Sequence, residues 1–461
     1  MSGNRAFRVA ATGARLITGA AVAVACVVGV TVAVHAPWPV VRHDPARVEV
    51  TPLPGDSVLV CNGDLRALGR NTSAPSEMRP AATPDLTSAA TSGTPTTEVL
   101  EVADLPDAGD VRVLTGEADG RTAPIIAAAE SVTVAEADIA GFAALPCGEP
   151  RLESWLVGGD VGTGAEDVIV LTNAGDVPAT VALSVYGTVP GARTVVVPAR
   201  TQVGLPLASI AAGNEAPVVE VSAVGAPVRA VLQSSLTRVL DPVGIDLQDA
   251  VAGAQENLVI TGVQAFPVEG DEADATVLRL LSPDADSLAD VTVTAVGARG
   301  ATTELTVPLT ADIPAEVSLS GLEPGSYTVE ITAETPVVAA VRQQDGAGPE
   351  SDFAWVTPAP EIDTDVLVAV PSGPASRLEI ANTSDDDAVV SVEPADGGGQ
   401  PAEIEVPAGE TRSVDVARDT AYRLRTTATV HVAVAMTAPG AMAVLPVRPG
   451  AAAEQAVTVY P

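Results

Sequence analysis

Short apolar runs that alternate with polar residues dominate the chain after residue 42. In residues 168–187, VIVLTNAGDVPATVALSVYG, an apolar run stops at Asn173 and a turn follows. Val181, Leu183 and Val185 then alternate with small or polar residues. Such alternation places every second side chain on one face of a strand. The segment therefore predicts a half-buried β-hairpin.

The same plan returns twice downstream. The three copies span residues 151–250, 257–357 and 364–461, and we name them repeat 1, repeat 2 and repeat 3. Each contains short strands separated by Gly, Pro, Asn and Asp turns, a pattern typical of antiparallel β-sandwiches of immunoglobulin-like size. The copies align at three apolar positions and at three prolines that follow an apolar strand: Leu171, Leu281 and Ile380, and Pro198, Pro308 and Pro407. A further proline, Pro336, is predicted to begin a late strand of repeat 2.

Residues 45–150, which we name the first β region, depart from this plan. They contain strand-like segments on both sides of residues 71–98, a tract rich in Ser, Thr, Pro and Ala. This composition predicts an exposed disordered loop within a small β domain. Asn71 and Asn382 each begin a glycosylation sequon, a pattern that often occurs by chance.

An uncharged apolar stretch occupies residues 16–36 and is preceded by Arg5, Arg8 and Arg15. Its length suits a transmembrane helix, and the arginines place the tail, residues 1–15, in the cytoplasm. Cleaved signal peptides have shorter apolar regions, so an uncleaved anchor is favoured over a signal peptide. We expect a single-pass protein of the cell membrane whose C-terminal domains are extracytoplasmic. The fold class predicted is all-β, with tandem immunoglobulin-like sandwiches behind this helix.

Two cysteines, Cys61 and Cys147, follow the apolar stretch. An even pair in an extracytoplasmic chain predicts one disulfide, with two separate buried thiols as the alternative. Trp155 follows shortly after the second cysteine, and we expect its ring to pack near the bridge.

Several packing and turn residues together form a known arrangement. They are Cys147, Trp155, Gly158-Gly159, Leu171-Thr172-Asn173, Val181, Tyr186-Gly187, Pro242-Val243-Gly244-Ile245-Asp246 and Ala354-Trp355. Through them the chain resembles the DUF5719 family of uncharacterised actinobacterial proteins, and the resemblance covers most of the chain from the anchor to the end. The resemblance implies an anchored or secreted protein of β-rich extracytoplasmic domains, and it implies no activity.

Composition narrows the classes of partner. Hydrophobic residues make up 47% of the chain but aromatic residues only 2%, so the core must consist of Val, Ala, Leu and Ile. The formal net charge is −35, and all 24 basic residues are arginine. Such a surface repels nucleic acid and anionic lipid, so no nucleic-acid partner is expected.

Candidate chemistry is sparse. The histidines are His35, His43 and His431, too few for a zinc site or a histidine-based triad after the helix. The segment Asp284–Asp290 begins like a calcium-binding EF-hand loop, but Ala289 replaces its essential glycine. We therefore predict no catalytic, cofactor-binding or metal-binding residues, and no enzyme. Trp155 and Trp355 are kept as candidate ligand contacts.

These features predict a non-enzymatic, membrane-anchored envelope protein that acts as an interaction or scaffold module. Its partner would be another envelope protein or a cell-wall glycan, with a narrower role as an accessory to envelope glycan assembly. The main alternative is a carbohydrate-binding or glycan-processing protein, which requires converging carboxylates and an exposed aromatic ring. A calcium-stiffened adhesin is a third hypothesis.

Overall fold

The computed structural model describes most of the chain, namely residues 4–35, 48–50, 54–70, 73–74, 77–120, 122–267, 275–450 and 457–459. The chain divides into two compact units. One comprises Met1–Pro52 with Gln455–Pro461, and the other comprises Leu53–Glu454, which we name the β body.

Strands dominate the described residues. The helices are α1 (Asn4–His35) and α2 (Ala208–Ala211). The strands before repeat 1 are β1 (Val48–Val50), β2 (Ser57–Val60), β3 (Leu65–Ala67), β4 (Arg79–Ala82), β5 (Asp85–Ala90), β6 (Thr96–Val102), β7 (Val111–Gly116), β8 (Ile126–Ala135) and β9 (Ala140–Pro146). Those of repeat 1 are β10 (Glu153–Leu156), β11 (Val168–Asn173), β12 (Ala179–Tyr186), β13 (Gly191–Val197), β14 (Thr201–Pro206), β15 (Val218–Val224), β16 (Arg229–Arg238) and β17 (Asp241–Asp249). Those of repeat 2 are β18 (Gln255–Ala265), β19 (Thr276–Leu281), β20 (Ser287–Ala295), β21 (Thr303–Leu309), β22 (Ala315–Ser318), β23 (Gly325–Gln344) and β24 (Phe353–Val356). The remainder are β25 (Glu361–Ile362), β26 (Val366–Val370), β27 (Ala375–Asn382), β28 (Ala388–Pro394), β29 (Ala402–Val406), β30 (Glu410–Val416), β31 (Thr420–Thr426), β32 (Val430–Ala438), β33 (Ala441–Pro446) and β34 (Val457–Val459).

The N-terminal unit contains helix α1 and an antiparallel pair of strands, β1 and β34. Within α1, Arg15–His35 has a mean hydropathy of 2.4 and is long enough to cross a bilayer. The apolar helix predicted from the sequence is thus present. His43 lies outside the described residues.

The three repeats share one topology. Each has two facing layers built on four antiparallel strands, and the facing apolar residues belong to one core cluster. The second layer of repeat 1 continues through a parallel β14–β6 pair into a seven-stranded sheet, and in repeat 3 β25 also pairs with β32. In repeat 1 the strand orders are β10-β15-β12-β13 and β17-β16-β11-β14, and in repeat 3 they are β26-β31-β28-β29 and β33-β32-β27-β30. Repeat 2 has β18-β23-β20-β21 and β24-β23-β19-β22, with β23 in both sheets. The all-β class predicted from alternation is confirmed.

Strand β23 passes from one sheet of repeat 2 to the other. Its first part pairs with β20 as far as Ala333, and its last part pairs with β19 from Val338 onward. Pro336 lies between these ladders and has no N–H to donate, which suits a change of partner. The prediction that Pro336 begins a new strand is therefore wrong: the strand is continuous and changes sheet.

The alignment of the repeats is also corrected by one residue in repeat 2. Leu171 and Ile380 lie between the sheets of their repeats, where Leu280 lies in repeat 2. Leu281 faces the other way and packs in a different cluster with Trp155. Since side chains alternate along a strand, a shift of one residue exchanges the two faces.

Strand β11 is buried on both faces, which explains its unbroken apolar run. Ile169 and Leu171 point into the core of repeat 1, and Val168 and Val170 pack against the first β region. Strands buried on both sides carry continuous apolar sequences instead of alternating ones.

The four regions of the β body contact one another in a closed order. The first β region packs on repeat 1, repeat 1 on repeat 2, repeat 2 on repeat 3, and repeat 3 on the first β region. Phe142 of the first β region makes the last of these contacts within the core cluster of repeat 3. This closure explains why Leu53–Glu454 forms one unit.

The predicted loop across residues 71–98 is corrected, because the described part of this tract contains β4, β5 and the start of β6. Strand β5 pairs along its whole length with β8, and β6 pairs with β7. The partner of β5 is distant in sequence, whereas β7 directly follows β6, and the small Ser, Thr and Ala side chains suit partly exposed positions. Tertiary pairing therefore overrides a composition that is typical of disorder.

Candidate functional site

A disulfide joins Cys61 to Cys147 within the first β region, with 4.4 Å between their Cα atoms. Both residues are buried and pack with Leu114 and Ala128. Trp155 belongs to a different cluster, so the prediction that it packs near the bridge is wrong. The bridge pins strand β2 to the end of β9, at a place where segments from three regions meet.

A buried carboxylate, that of Glu130, lies beside the disulfide. It accepts hydrogen bonds from the backbone N–H groups of Asn62 at 2.7 Å and Gly63 at 3.2 Å. Burial raises its pKa, and these hydrogen bonds oppose the rise. Glu130 and the two cysteine sulfurs lie within 4.8 Å of one another, an arrangement that resembles a metal site. The sulfurs are bonded to each other, so no thiolate remains to bind a metal.

Three arginines from different segments approach this place. Arg229 donates to the carbonyl oxygens of Val60 and Pro146 and lies 3.4 Å from Asp249. Arg448 lies 3.2 Å from the other carboxylate oxygen of Asp249. The third is Arg151, whose pKa is lowered first by burial and then by the charge of Arg448.

An open groove, which we name the apolar groove, lies between the first β region and repeat 3. Its rim carries Glu149, Arg151 and Arg448, and Cys147 contributes to its wall. The apolar side chains along it include Leu59, Ile125, Ile126, Leu367, Leu445 and Val447. The rim thus holds two cations and one carboxylate in a chain of strongly negative net charge.

Both tryptophans proposed as ligand contacts are buried, with Trp155 4% and Trp355 5% exposed. The ring of Trp155 lies 5.3 Å from that of Tyr186, and the Arg279 guanidinium lies 4.6 Å from the centre of the Trp355 ring. Arg279 also donates to the carbonyl oxygens of repeat 1 residues Gly159 and Pro217. These contacts join repeats 1 and 2, and they leave neither indole face open to a sugar.

Buried aspartates mark the junctions between regions. Asp246 of repeat 1 accepts a hydrogen bond from the backbone N–H of Trp355 at 2.8 Å. Asp167 accepts from the backbone of Asp160 and from the Ser234 hydroxyl. Burial raises the pKa of both carboxyl groups to about 7. These acids accept hydrogen bonds from backbone groups; Asp167 also lines a small pocket with Ser234 and Trp355, a pocket to which Asp246 does not contribute.

Other residues singled out in the sequence have structural surroundings. His431 is 7% exposed, its Nδ1 lies 2.7 Å from the carbonyl oxygen of Ala359, and burial lowers its pKa. His35 ends helix α1. Asn382 is buried and donates hydrogen bonds to the carbonyl oxygens of Asp386 and Val406, so its sequon is not accessible to glycosylation.

One hairpin tip presents apolar side chains to solvent. Val239 is 96% exposed and Leu240 82% exposed, between strands β16 and β17. Val239 has a φ of 62°, an unfavourable value for a β-branched residue. Strain at an exposed apolar tip is a feature associated with function.

The fold and these contacts define an all-β protein of three like repeats with one apolar N-terminal helix. The chain belongs to DUF5719, a family of unknown function whose model matches residues 102–417. No curated protein matches the chain.

Sequence reasoning identified the disulfide pair but missed the buried arginines and aspartates at the junctions between regions. Arg229, Arg279 and Asp352 are surrounded by residues distant in the chain, so no local pattern reveals their burial. The one available signal was a charged residue within an apolar strand, as in Arg279 of TVLRLL. A charge at such a place indicates a buried partner.

Proposed function

We propose that this protein is a non-enzymatic, membrane-anchored envelope protein whose extracytoplasmic β body acts as an interaction scaffold. Helix α1 is its single-pass anchor, with the N-terminus cytoplasmic, and each repeat is an immunoglobulin-like module. Two features support this location. The Arg15–His35 segment has the length and hydropathy of a membrane span, and the Cys61–Cys147 disulfide is typical of an oxidising compartment.

The observation that carries the proposal is the use of buried charged groups as cross-links. Arg279 joins repeat 2 to repeat 1 through two carbonyl oxygens, and Arg229 joins repeat 1 to the first β region. Breaking such buried contacts leaves an unpaired charge, which is strongly destabilising. The regions are therefore held as one rigid body, as a scaffold requires, and not as independent beads.

The exposed tip at Val239 and Leu240 is the contact site that we assign to a protein partner. Apolar side chains this exposed contribute nothing to the core, and burial of each against a partner contributes roughly 1.5–3 kcal/mol. The carbohydrate-binding alternative has less support, because both of its candidate platforms, Trp155 and Trp355, are buried.

A pull-down tests the proposal. The full-length chain in detergent serves as bait against solubilised envelope proteins and purified wall glycan, at two salt concentrations. A matched pair of double variants is compared with wild type: Val239→Asn with Leu240→Asn at the tip, and Leu288→Asn with Ile313→Asn at other exposed positions. Asparagine tolerates positive φ, so the tip variant retains its turn.

We expect one protein partner to be retained at both salt concentrations, lost in the tip variant and kept in the control variant. Retention of wall glycan alone would instead support the carbohydrate-binding alternative. Equal retention of the partner by the tip and control variants would contradict the assignment of Val239 and Leu240 as the contact site.

A further inference from the structure

The apolar groove combines two properties that rarely occur together on a strongly acidic protein. Its floor is formed by side chains such as Ile125, Leu367 and Leu445, and its rim carries Arg151 and Arg448. The chain holds 59 acidic residues and 24 arginines, and at this rim the two arginines lie near two acids, Glu149 and Asp249.

Arg151 is the more informative of these cations. Within the part of the chain that the structure describes, its guanidinium makes no ion pair or hydrogen bond, although the residue is only partly exposed. Its backbone is fixed by reciprocal hydrogen bonds with Val228. The nearest cations, Arg229 and Arg448, share Asp249, which leaves that carboxylate occupied. Arg151 thus has donors held at the rim without a bound acceptor.

We propose that the apolar groove binds a single-chain amphiphile with an anionic head, its hydrocarbon chain along the floor and its head beside Arg151 and Arg448. The guanidinium fork matches the paired oxygens of a carboxylate or phosphate. Binding would replace water over the apolar floor, which is favourable in proportion to the area covered.

The net charge of −35 does not oppose this binding at short range. The Debye length is about 8 Å at physiological ionic strength, so acids elsewhere on the surface are largely screened at the groove. Glu149 also lines the groove, and we place the head group away from it, beside the two arginines. The site therefore selects an anionic head over a cationic one through its nearest side chains.

Photo-crosslinking of the full-length chain in zwitterionic nanodiscs tests the inference. The probe is dodecanoic acid with a diazirine near the end of its chain, and labelled peptides are identified by mass spectrometry. We expect label on residues 125–128 and 445–447, competition by unlabelled dodecanoate, and no competition by dodecanol at the same concentration.

Variants assign the label to the site. Arg151→Gln should reduce groove labelling at least fivefold, whereas Arg151→Lys, which keeps the charge, should retain most of it. Ile125→Asn, at a partly exposed floor position, should reduce it at least threefold. Arg193→Gln, at an exposed arginine away from the groove, is the matched control and should label like wild type. Melting temperature and disulfide content confirm that each variant is folded.

Equal competition by dodecanoate and dodecanol, or labelling unchanged in Arg151→Gln, would overturn the inference. So would label confined to helix α1. Displacement of the probe by an apolar peptide with a free C-terminal carboxylate, at lower concentration than dodecanoate, would identify a peptide site instead. None of these outcomes depends on a protein partner, so the scaffold function and this site succeed or fail separately.

Discussion

The Oδ1 atom of Asp352 accepts a hydrogen bond from the backbone N–H of Ile245 at 3.0 Å. Its Oδ2 atom accepts from Phe142 at 3.2 Å and from Met442 at 3.0 Å. These donors belong to repeat 1, the first β region and repeat 3, and Asp352 itself lies in repeat 2. A single carboxylate therefore joins all four regions of the β body.

Asp352→Asn should destabilise the β body by about 3 kcal/mol. An amide has one carbonyl oxygen, so its NH₂ group would face backbone N–H donors that have no other acceptor. The Asp352 side chain is also closely packed, because even a Cβ atom added to Gly244 would lie 2.7 Å from Oδ1. Urea unfolding at neutral pH measures the change, with Asp176→Asn, at an exposed turn, as the control. Equal stability of the two variants would contradict the role given to Asp352.

Removal of the disulfide should destabilise the protein by roughly 4–5 kcal/mol, because the bridge closes a long loop in the unfolded chain. The sequence separation of Cys61 and Cys147 is 86. The double variant Cys61→Ala with Cys147→Ala is compared with wild type by urea unfolding. Cys26→Ala, at an exposed helix position, serves as control. Two titratable thiols in unfolded, unreduced wild type beyond Cys26 would contradict the bridge.

The sequence predicted correctly those features that depend on neighbouring residues in the chain. Alternation in segments such as Ala179–Tyr186 depends on one buried face, and it predicted strands correctly. It misplaced Leu281 by one residue, because an apolar strand buried on both faces offers no alternation to set the register. The disulfide was predicted from the expected extracytoplasmic location and from the presence of two cysteines after the apolar helix.

The surroundings of single side chains could not be predicted in the same way. Trp355 was a candidate ligand contact because tryptophan is rare in this chain and often binds sugars. Its ring is instead covered by Arg279 of the same repeat, and its backbone N–H donates to Asp246. Arg151 of repeat 1 and Arg448 of repeat 3 are distant in sequence and line one groove only because repeat 3 packs against residues 249–250 of repeat 1 and against the first β region. Contacts of this kind form only when the regions pack together, so no short segment of the sequence predicts them.

Gly262→Ala should destabilise the protein by about 2–4 kcal/mol, more than a matched glycine elsewhere. Gly262 has a φ of +85° at a bulge in β18, and an added Cβ would lie 3.0 Å from Val444 of repeat 3. Gly300 has a φ of +87° with nothing within 4 Å, so Gly300→Ala reports the backbone strain alone, about 1–2 kcal/mol. The difference in unfolding free energy isolates the contact between repeats. Equal costs would show that β18 and repeat 3 separate easily at this point.

Stability should fall as pH rises from 5 to 8. Burial raises the pKa of Asp167 and Asp246 from 3.8 to about 7, so the folded state binds more protons than the unfolded state between these values. The free energy of unfolding therefore decreases as pH rises through that window. His431 has a pKa lowered from 6.5, so the unfolded state binds more protons there and this residue acts in the opposite direction. Asp246→Asn keeps an acceptor for the Trp355 N–H but cannot ionise.

The loss of stability between pH 5 and pH 8 should accordingly be smaller in Asp246→Asn than in wild type by about 2–3 kcal/mol. Urea unfolding at the two pH values gives this difference directly, and Asp176→Asn should retain the wild-type dependence. The magnitude follows because Asp246 must either ionise without a cation among its hydrogen-bond partners or stay protonated above its unfolded pKa. An identical pH dependence in all three proteins would mean that Asp246 is already ionised at pH 5. Its hydrogen bonds from Trp355 and Leu247 would then outweigh the cost of burial.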